Sequence, residues 1–299
     1  MYQDGTTDGV SVRRLLPTIR RAREYHLYDD RGRRYLDLYQ DGGRAILGHR
    51  PSGFLTRVKN EMSRGVLLSA PSPAEARLQK ELHRAYPGYS HAALVAASAL
   101  PGLLADLLQL LHEDPRGATR IHDPAAPAGE TPPAQVALAR PFLPVPEAPI
   151  LLPRLPLPGF FACQALLIRA PGVSGDLEER LLREAPPAPP SLRAGEMALQ
   201  GLRRAQEEAA PAWAADQLAP LWHARGPYLR FRGGAAVYPQ VFRAYLEGGY
   251  LLSPSFGEPS IVPKIYTEGE LAGFLRLTRR IAETGSTGTG RVGDESTSS

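Results

Sequence analysis

The sequence predicts an α/β protein built from short elements. Apolar residues flank a turn within 25–39 in the pattern of two antiparallel strands. Short apolar runs at 92–97, 135–139, 150–152 and 164–169 predict buried strands of a reduced central sheet, and the C-terminal part again places strands between helices. A chain of 299 residues can form two ordinary domains, or one domain in two parts.

The composition indicates a folded protein with many loops. Hydrophobic residues make up 43% of the chain and charged residues 22%, both within the range of globular proteins. The 30 prolines are about twice the usual share. Proline-rich stretches at 123–133 and 186–190 predict stiff loops that cannot supply the hydrogen bonds of a sheet.

The charge pattern favours a mixed, solvated surface. The formal net charge is +4 and the sequence pI is near 9.3, values that a basic binding protein also shows. The arginines, however, alternate with glutamates, as in Glu178-Glu179-Arg180 and in 203–208, and no stripe of aromatic and basic residues accompanies them. We therefore expect no nucleic-acid partner.

The single cysteine and the absence of apolar segments predict a cytoplasmic protein. Cys163 cannot form an internal disulfide, and its apolar neighbours predict a buried, unreactive thiol. No run reaches the ~18 apolar residues of a membrane span, and the first residues lack the pattern of a signal peptide. We expect neither membrane insertion nor a requirement for an oxidising compartment.

The opening stretch predicts a hairpin. The cluster Asp29-Asp30-Arg31-Gly32 is a turn pattern, in which Gly32 can take a positive φ. Two helices are predicted to follow. Ser52 is expected to cap the first, with Leu55, Val58 and Met62 on one face. The second begins in the capping box Ser72-Pro73-Ala74-Glu75, buries Leu78 and Leu82, and runs to about Tyr86.

Further helices are predicted from Pro101 to His112, from Ser174 to about Ala185, and from Ser191 to the break at Pro211. Trp213 and Trp222 stand at roughly helical spacings from nearby leucines, which predicts core contacts. The tail string 288–293 matches a dinucleotide fingerprint, but no strand precedes it, so no such site is expected.

The two ends of the chain resemble the class III aminotransferases, pyridoxal-phosphate (PLP) enzymes of fold type I that include glutamate-1-semialdehyde aminomutase. At the N-terminal end the matching residues are Asp29, Gly32, Tyr35-Leu36-Asp37, Gly42-Gly43 and Gly48-His49-Arg50-Pro51. At the C-terminal end the match is a helix, a glycine turn at Gly248-Gly249, two short strands and a helix that opens with Thr267-Glu268-Gly269-Glu270. Together the two ends cover roughly half of the chain.

The resemblance implies a PLP-transferase-like fold with a small α+β domain made from both chain ends. It assigns 1–70 and 223–283 to that small domain, and 71–222 to a reduced large α/β domain with proline-rich loops. Residues 284–299 are rich in Gly, Ser and Thr, which predicts a disordered tail.

PLP chemistry requires a lysine amine that forms a Schiff base with the cofactor. The whole sequence has three lysines, Lys59, Lys80 and Lys264. Helical spacing predicts that Lys59 and Lys80 face solvent, and Lys264 follows Pro263 near the last helix. None lies in the central region where the resembling family carries its lysine.

The other groups expected of a PLP site are also incomplete. Asp123 and Asp176 are the central candidates for the carboxylate that pairs with the pyridine nitrogen. The stretch from Ser98 to Gly102 corresponds to the family's phosphate turn, but Pro101 removes one backbone donor. His49 could lie at a substrate mouth, and the seven histidines show no metal-ligand spacing. The sequence therefore assigns no catalytic, cofactor-binding or metal residues.

Three functions remain open from the sequence. The first is a degenerate class III aminotransferase-like chain without Schiff-base chemistry and without bound cofactor, acting as a binding or structural subunit in a homodimer or in a heteromer with a related chain. The second is an active PLP-dependent aminotransferase or aminomutase whose lysine is Lys264 or comes from a partner chain. The third is a basic module for anionic partners, which predicts binding that weakens steeply with salt.

Overall fold

The computed structural model describes residues 12–66, 68, 70–110, 121–127, 134–169 and 186–286. The chain divides into two compact units. We call Met1–Tyr39 with Ala212–Ser299 the terminal unit and Gln40–Pro211 the central unit. The terminal unit thus includes the described residues 12–39 and 212–286. The chain changes unit after Tyr39 and Pro211, whereas the sequence placed these boundaries after 70 and 222.

The strands are β1 (Ile19–Arg23), β2 (His26–Asp29), β3 (Arg34–Asp37), β4 (His91–Ala96), β5 (Ile121–His122), β6 (Val136–Ala139), β7 (Ile150–Pro153), β8 (Cys163–Ile168), β9 (Trp222–Arg225), β10 (Tyr228–Phe231), β11 (Tyr250–Leu251) and β12 (Ser260–Ile261). The α-helices are α1 (Phe54–Met62), α2 (Pro73–Ala85), α3 (Leu100–Leu110), α4 (Pro189–Gln206), α5 (Ala215–Leu218), α6 (Tyr238–Glu247) and α7 (Glu268–Ser286). Short 3-10 turns span Val12–Leu15, Gln40–Gly43 and Gly159–Phe161.

The terminal unit contains a four-stranded sheet in the order β1-β2-β3-β11 and a three-stranded sheet in the order β12-β10-β9. The predicted hairpin is confirmed: β2 and β3 pair antiparallel, and Gly32 takes a φ of +82°. Strand β11 pairs parallel to β3, so the two ends of the chain share one sheet. Strand β1 was not predicted, because Ile19–Arg23 is an arginine-rich sequence without an apolar alternation.

The core of the terminal unit is aromatic. Trp213 and Trp222 are buried and pack on Phe274, which confirms the predicted core contacts. The helical spacing assumed for them is wrong, since α5 is only four residues long and Trp222 opens β9. Pairing between β9 and β10 buries the indole instead.

The start of α7 confirms the second predicted capping box. The Glu270 amide donates to Thr267 Oγ1 at 3.2 Å, and the Thr267 amide donates to Glu270 Oε2 at 2.8 Å. These reciprocal bonds satisfy two amides that a helix start otherwise leaves without partners. The helix continues to Ser286, three residues beyond the predicted end at about Glu283.

The central unit is a three-layer α/β arrangement around a five-stranded sheet, ordered β4-β8-β7-β6-β5. All four apolar runs predicted as strands form strands of this sheet. Leu151 faces the layer formed by α1, α2 and α4, while its neighbours Ile150 and Leu152 face α3. This alternation is what a strand buried on both sides requires.

Helix α1 corrects the sequence prediction. Gly53, with a φ of +72°, and not Ser52, is the residue before the helix. The buried side chains are Phe54 and Val58, while Leu55 and Met62 are 47 and 51% exposed. Phe54 decides which face of α1 is buried, because its ring meets the ring of Phe161 edge-on at a centroid distance of 6.2 Å.

Helix α2 begins at Pro73 and buries Leu78 and Leu82, as predicted. Its capping box is absent, because the Ser72 side chain makes no capping bond. Helix α4 begins two residues before the predicted Ser191. The predicted helix 174–185 and the string 288–293 lie outside the described residues. Among the described helices, none combines the length and the apolar character that a membrane span requires.

Candidate functional site

The candidate site is the edge of the central sheet at which the parallel strands end. Strands β5, β6 and β7 run parallel, β8 runs antiparallel to β7, and β4 runs antiparallel to β8. The carboxyl ends of β4, β5, β6 and β7 therefore lie at one edge, next to the start of β8. Open α/β sheets bind ligands in the crevice outside these carboxyl ends. We call this edge, with residues 97–102, 123, 140, 154 and 162–163, the carboxyl edge.

A buried ion pair occupies part of the carboxyl edge. Asp123 directly follows β5 and Arg140 directly follows β6. Arg140 donates through Nε and Nη2 to the two Asp123 oxygens at 2.6 and 2.7 Å, and the Ala125 amide donates to Asp123 Oδ1 at 2.9 Å. The Arg140 side chain is 2% exposed. The candidate carboxylate is thus held by a two-point, charge-assisted contact.

The turn between β4 and α3 forms the next part of the edge. The Ala97 amide donates to the Ala162 carbonyl at 2.8 Å, which ties this turn to the start of β8. The first amide of α3 that donates to a carbonyl one turn earlier is that of Leu103, which bonds the Ala99 carbonyl at 3.1 Å. Pro101 lies in the first turn of α3 and has no N–H. The turn therefore offers fewer backbone donors to an anion than an ordinary helix start.

Neither lysine of the central unit lies at the carboxyl edge, and the third lysine belongs to the terminal unit. Lys59 and Lys80 are on the exposed faces of α1 and α2, as predicted. Lys264 is exposed and belongs to the terminal unit, three residues beyond β12. An amine needs desolvation or a nearby cation to become nucleophilic at neutral pH, and exposure in water supplies no desolvation.

The remaining predicted residues are scattered. His49 is half-buried in the loop before α1, and Asp176 lies outside the described residues. Burial raises the pKa of Cys163 to about 12, in accordance with the predicted unreactive thiol. The described part of the chain contains no cluster of three His, Cys, Asp or Glu side chains that could hold a metal ion.

The Gly42-Gly43 segment forms a left-handed turn. Gln40, Asp41, Gly42 and Gly43 have φ values of 46, 48, 64 and 100°. Left-handed geometry costs roughly 1–2 kcal/mol for each residue that is not glycine. A Cβ added at Gly159 would lie 3.7 Å from Asp41 Oδ2, so this turn lies close to the loop between β7 and β8.

Comparisons with known proteins agree with this architecture. An uncharacterized protein of Treponema pallidum is 30% identical in an alignment 290 residues long, and the alignment covers 86% of this chain and 92% of the relative. The chain belongs to the same family as this protein. The glutamate-1-semialdehyde 2,1-aminomutase of Thermus thermophilus is 41% identical over 71 residues, 24% of this chain and 17% of the enzyme. No family model matches the sequence.

The fold is that of the class III aminotransferases. The ornithine aminotransferase of Plasmodium yoelii superposes with a TM-score of 0.63 and 13% identity, over 94% of this chain and 97% of the enzyme. The predicted PLP-transferase-like fold is confirmed, and the partial match to the aminomutase agrees with the predicted resemblance to the class III aminotransferases.

The sequence did not identify Arg140. The available signal was a charged residue after each of two short buried strands, Ile121-His122-Asp123 and Val136-Ala-Leu-Ala-Arg140. Residues at such positions lie near each other only if the strands are neighbours and parallel. That pairing is a property of the sheet order, which no local pattern contains.

Proposed function

We propose that this chain is a class III aminotransferase-like protein that forms no Schiff base with PLP and acts as a binding or structural subunit. The observation that carries the proposal is the exposed position of all three lysines, two of which lie on the outer faces of α1 and α2. Lysine is the only side chain that supplies the amine for this bond. An exposed amine lacks the desolvation that makes a lysine nucleophilic, which supports a chain of this fold without Schiff-base chemistry.

The residues at the carboxyl edge do not fit PLP. The cofactor's pyridine nitrogen is held by the charge of a carboxylate, and the charge of Asp123 is already balanced by the buried Arg140, which donates to both of its oxygens. Separating this pair would leave a guanidinium buried without a counter-ion, which costs about 3–5 kcal/mol. The cofactor phosphate needs donors at a helix start, and Pro101 removes one from α3.

A PLP-trapping experiment tests the proposal. The purified protein is incubated with PLP, reduced with borohydride, dialysed and measured by mass spectrometry. We expect no saturable adduct, and only weak labelling shared among the exposed lysines. A stoichiometric adduct on one lysine overturns the proposal, because it demonstrates an activated amine.

Lysine variants distinguish the active alternative. If Lys264 forms the Schiff base, then Lys264→Arg abolishes the adduct and Lys59→Arg and Lys80→Arg leave it unchanged. If a partner chain supplies the lysine, then the adduct appears only in the mixture of the two chains. Our proposal expects weak labelling of the wild type, lowered in each single variant only by the share of the lysine that was removed.

We also propose that the chain functions as a homodimer, or as a heteromer with a related chain. Large apolar side chains of the central unit that are well exposed support an interface: Leu55, Met62, Leu68 and Phe160, with Phe160 76% exposed. Sedimentation equilibrium of the purified chain distinguishes a dimer from a monomer that needs a partner. A cytoplasmic location is part of the proposal, because the single cysteine requires no oxidising compartment.

A further inference from the structure

The terminal unit contains a groove at the C-terminal end of α6 and along the N-terminal half of α7. Its volume is about 570 Å³, within the range of sites for small ligands. The lining residues are Gly248, Tyr250, Gly269, Gly273, Arg276, Leu277 and Arg280. Three of these seven are glycines, and two are arginines one helical turn apart.

Glycines make the floor of the groove. A Cβ added at Gly273 would overlap the Tyr250 hydroxyl, and one added at Gly248 would overlap the Leu277 side chain. The Tyr250 hydroxyl donates to the Glu270 carbonyl at 2.7 Å, which fixes the ring against α7. Glycine at these two positions therefore lets α7 approach the segment from α6 to β11 closely.

The polar wall of the groove is positively charged. Arg276 and Arg280 are four residues apart on α7, so they project from the same face about 6 Å apart along the axis. Burial and the Glu270 charge raise the pKa of Tyr250, while the Arg276 charge acts in the opposite direction. The guanidinium of Arg276 is thus near enough to influence the tyrosine at the floor.

Glu270, the carboxylate of α7 that acts on Tyr250, is engaged by groups outside the groove lining. Glu270 Oε1 accepts from His26 Nε2 at 2.9 Å and lies 3.1 Å from Arg34 Nη2, and its Oε2 accepts from the Thr267 amide at 2.8 Å. Its charge is therefore engaged by the β2–β3 hairpin and by the helix cap. The groove combines the two guanidinium groups with the apolar surfaces of Leu277 and the Tyr250 ring.

We propose that this groove binds a small ligand with two anionic groups, carboxylate or phosphate. A guanidinium donates two parallel hydrogen bonds to either group, and two arginines one turn apart match two anionic groups on one molecule. The apolar wall takes the carbon skeleton between them. This inference is independent of the proposed loss of Schiff-base chemistry, since the groove lies entirely in the terminal unit.

Calorimetric titration at low ionic strength tests the groove, with inorganic pyrophosphate and glutarate as separate probes. We expect saturable binding of at least one probe, weakening as salt rises. The probe that binds more tightly identifies the ligand as a phosphate or a dicarboxylate. Arg276→Gln and Arg280→Gln should each weaken binding about tenfold.

Two further variants make the test specific. Arg279→Gln removes the same charge from the same helix at a residue that does not line the groove, and it should leave affinity nearly unchanged. At Gly269 an added Cβ meets nothing closer than Thr267 Oγ1 at 4.0 Å, so Gly269→Leu should fill the groove, keep the fold and abolish binding.

The proposal is overturned if neither probe saturates, or if Arg279→Gln weakens binding as much as Arg276→Gln. Binding of a single-stranded oligonucleotide in place of both probes also overturns it, because that result indicates a general basic surface. Thermal melts of all four variants confirm that each compared protein is folded.

Discussion

Removing Asp123 should destabilise the central unit strongly. The Asp123→Ala variant leaves the Arg140 guanidinium, 2% exposed, without its two charge-assisted bonds. Removing one partner of a buried pair costs about 3–5 kcal/mol, and the 15% exposure of Asp123 admits some water. We therefore expect a loss of about 3 kcal/mol in the free energy of unfolding.

A double variant separates this mechanism from simple loss of packing. Combining Asp123→Ala with Arg140→Leu removes the uncompensated charge, so most of the lost stability should return, to within about 1 kcal/mol of wild type. The matched control is Glu81→Ala, which breaks a more exposed pair with Arg84 on α2 and should cost about 0.5 kcal/mol or less.

Urea unfolding followed by far-UV circular dichroism measures these changes. Tryptophan fluorescence is unsuitable, because Trp213 and Trp222 both lie in the terminal unit and do not report on the central unit. The reasoning is refuted if Asp123→Ala costs less than about 1 kcal/mol, or if the double variant is as unstable as the single one.

Four further predictions concern single side chains. Tyr245→Phe removes the hydroxyl that accepts the Trp222 Nε1–H at 3.2 Å, and it should cost about 1–3 kcal/mol in urea unfolding followed by tryptophan fluorescence. Thr267→Ala removes the cap of α7 and should cost about 1 kcal/mol in the same assay; an unchanged midpoint contradicts the capping role. For Glu270, burial raises the pKa, but hydrogen bonds outweigh it, so the net pKa is lowered. The stabilisation linked to this lowered pKa is present above the pKa of the unfolded state and is lost as pH falls through the folded pKa. Glu270→Gln should therefore flatten the acid side of the plot of unfolding free energy against pH. Because burial raises the pKa of Cys163 to about 12, its thiol should react slowly with a disulfide reagent at pH 8 and quickly in urea; equal rates contradict burial.

Local patterns predicted the hairpin and the α7 cap of the terminal unit. The hairpin turn needs only Gly32 at a positive φ, and the α7 cap needs only Thr267 and Glu270 three residues apart, so neighbouring residues contain all the information. Helix α1 was predicted with the wrong buried face. Three apolar residues at helical spacing identify a helix, but the contact of Phe54 with Phe161, over a hundred residues away, decides which face is buried.

The sequence by itself determined how few lysines the protein has, because three lysines can be counted and assigned to helices and loops without a structure. Only the tertiary structure decided which distant residues lie next to one another. The Asp123–Arg140 pair depends on β5 and β6 being neighbours. The groove depends on Gly248 lying against α7 and on Gly273 lying against β11. Spacing along the chain fixes local conformation, whereas strand order and helix packing bring distant residues together.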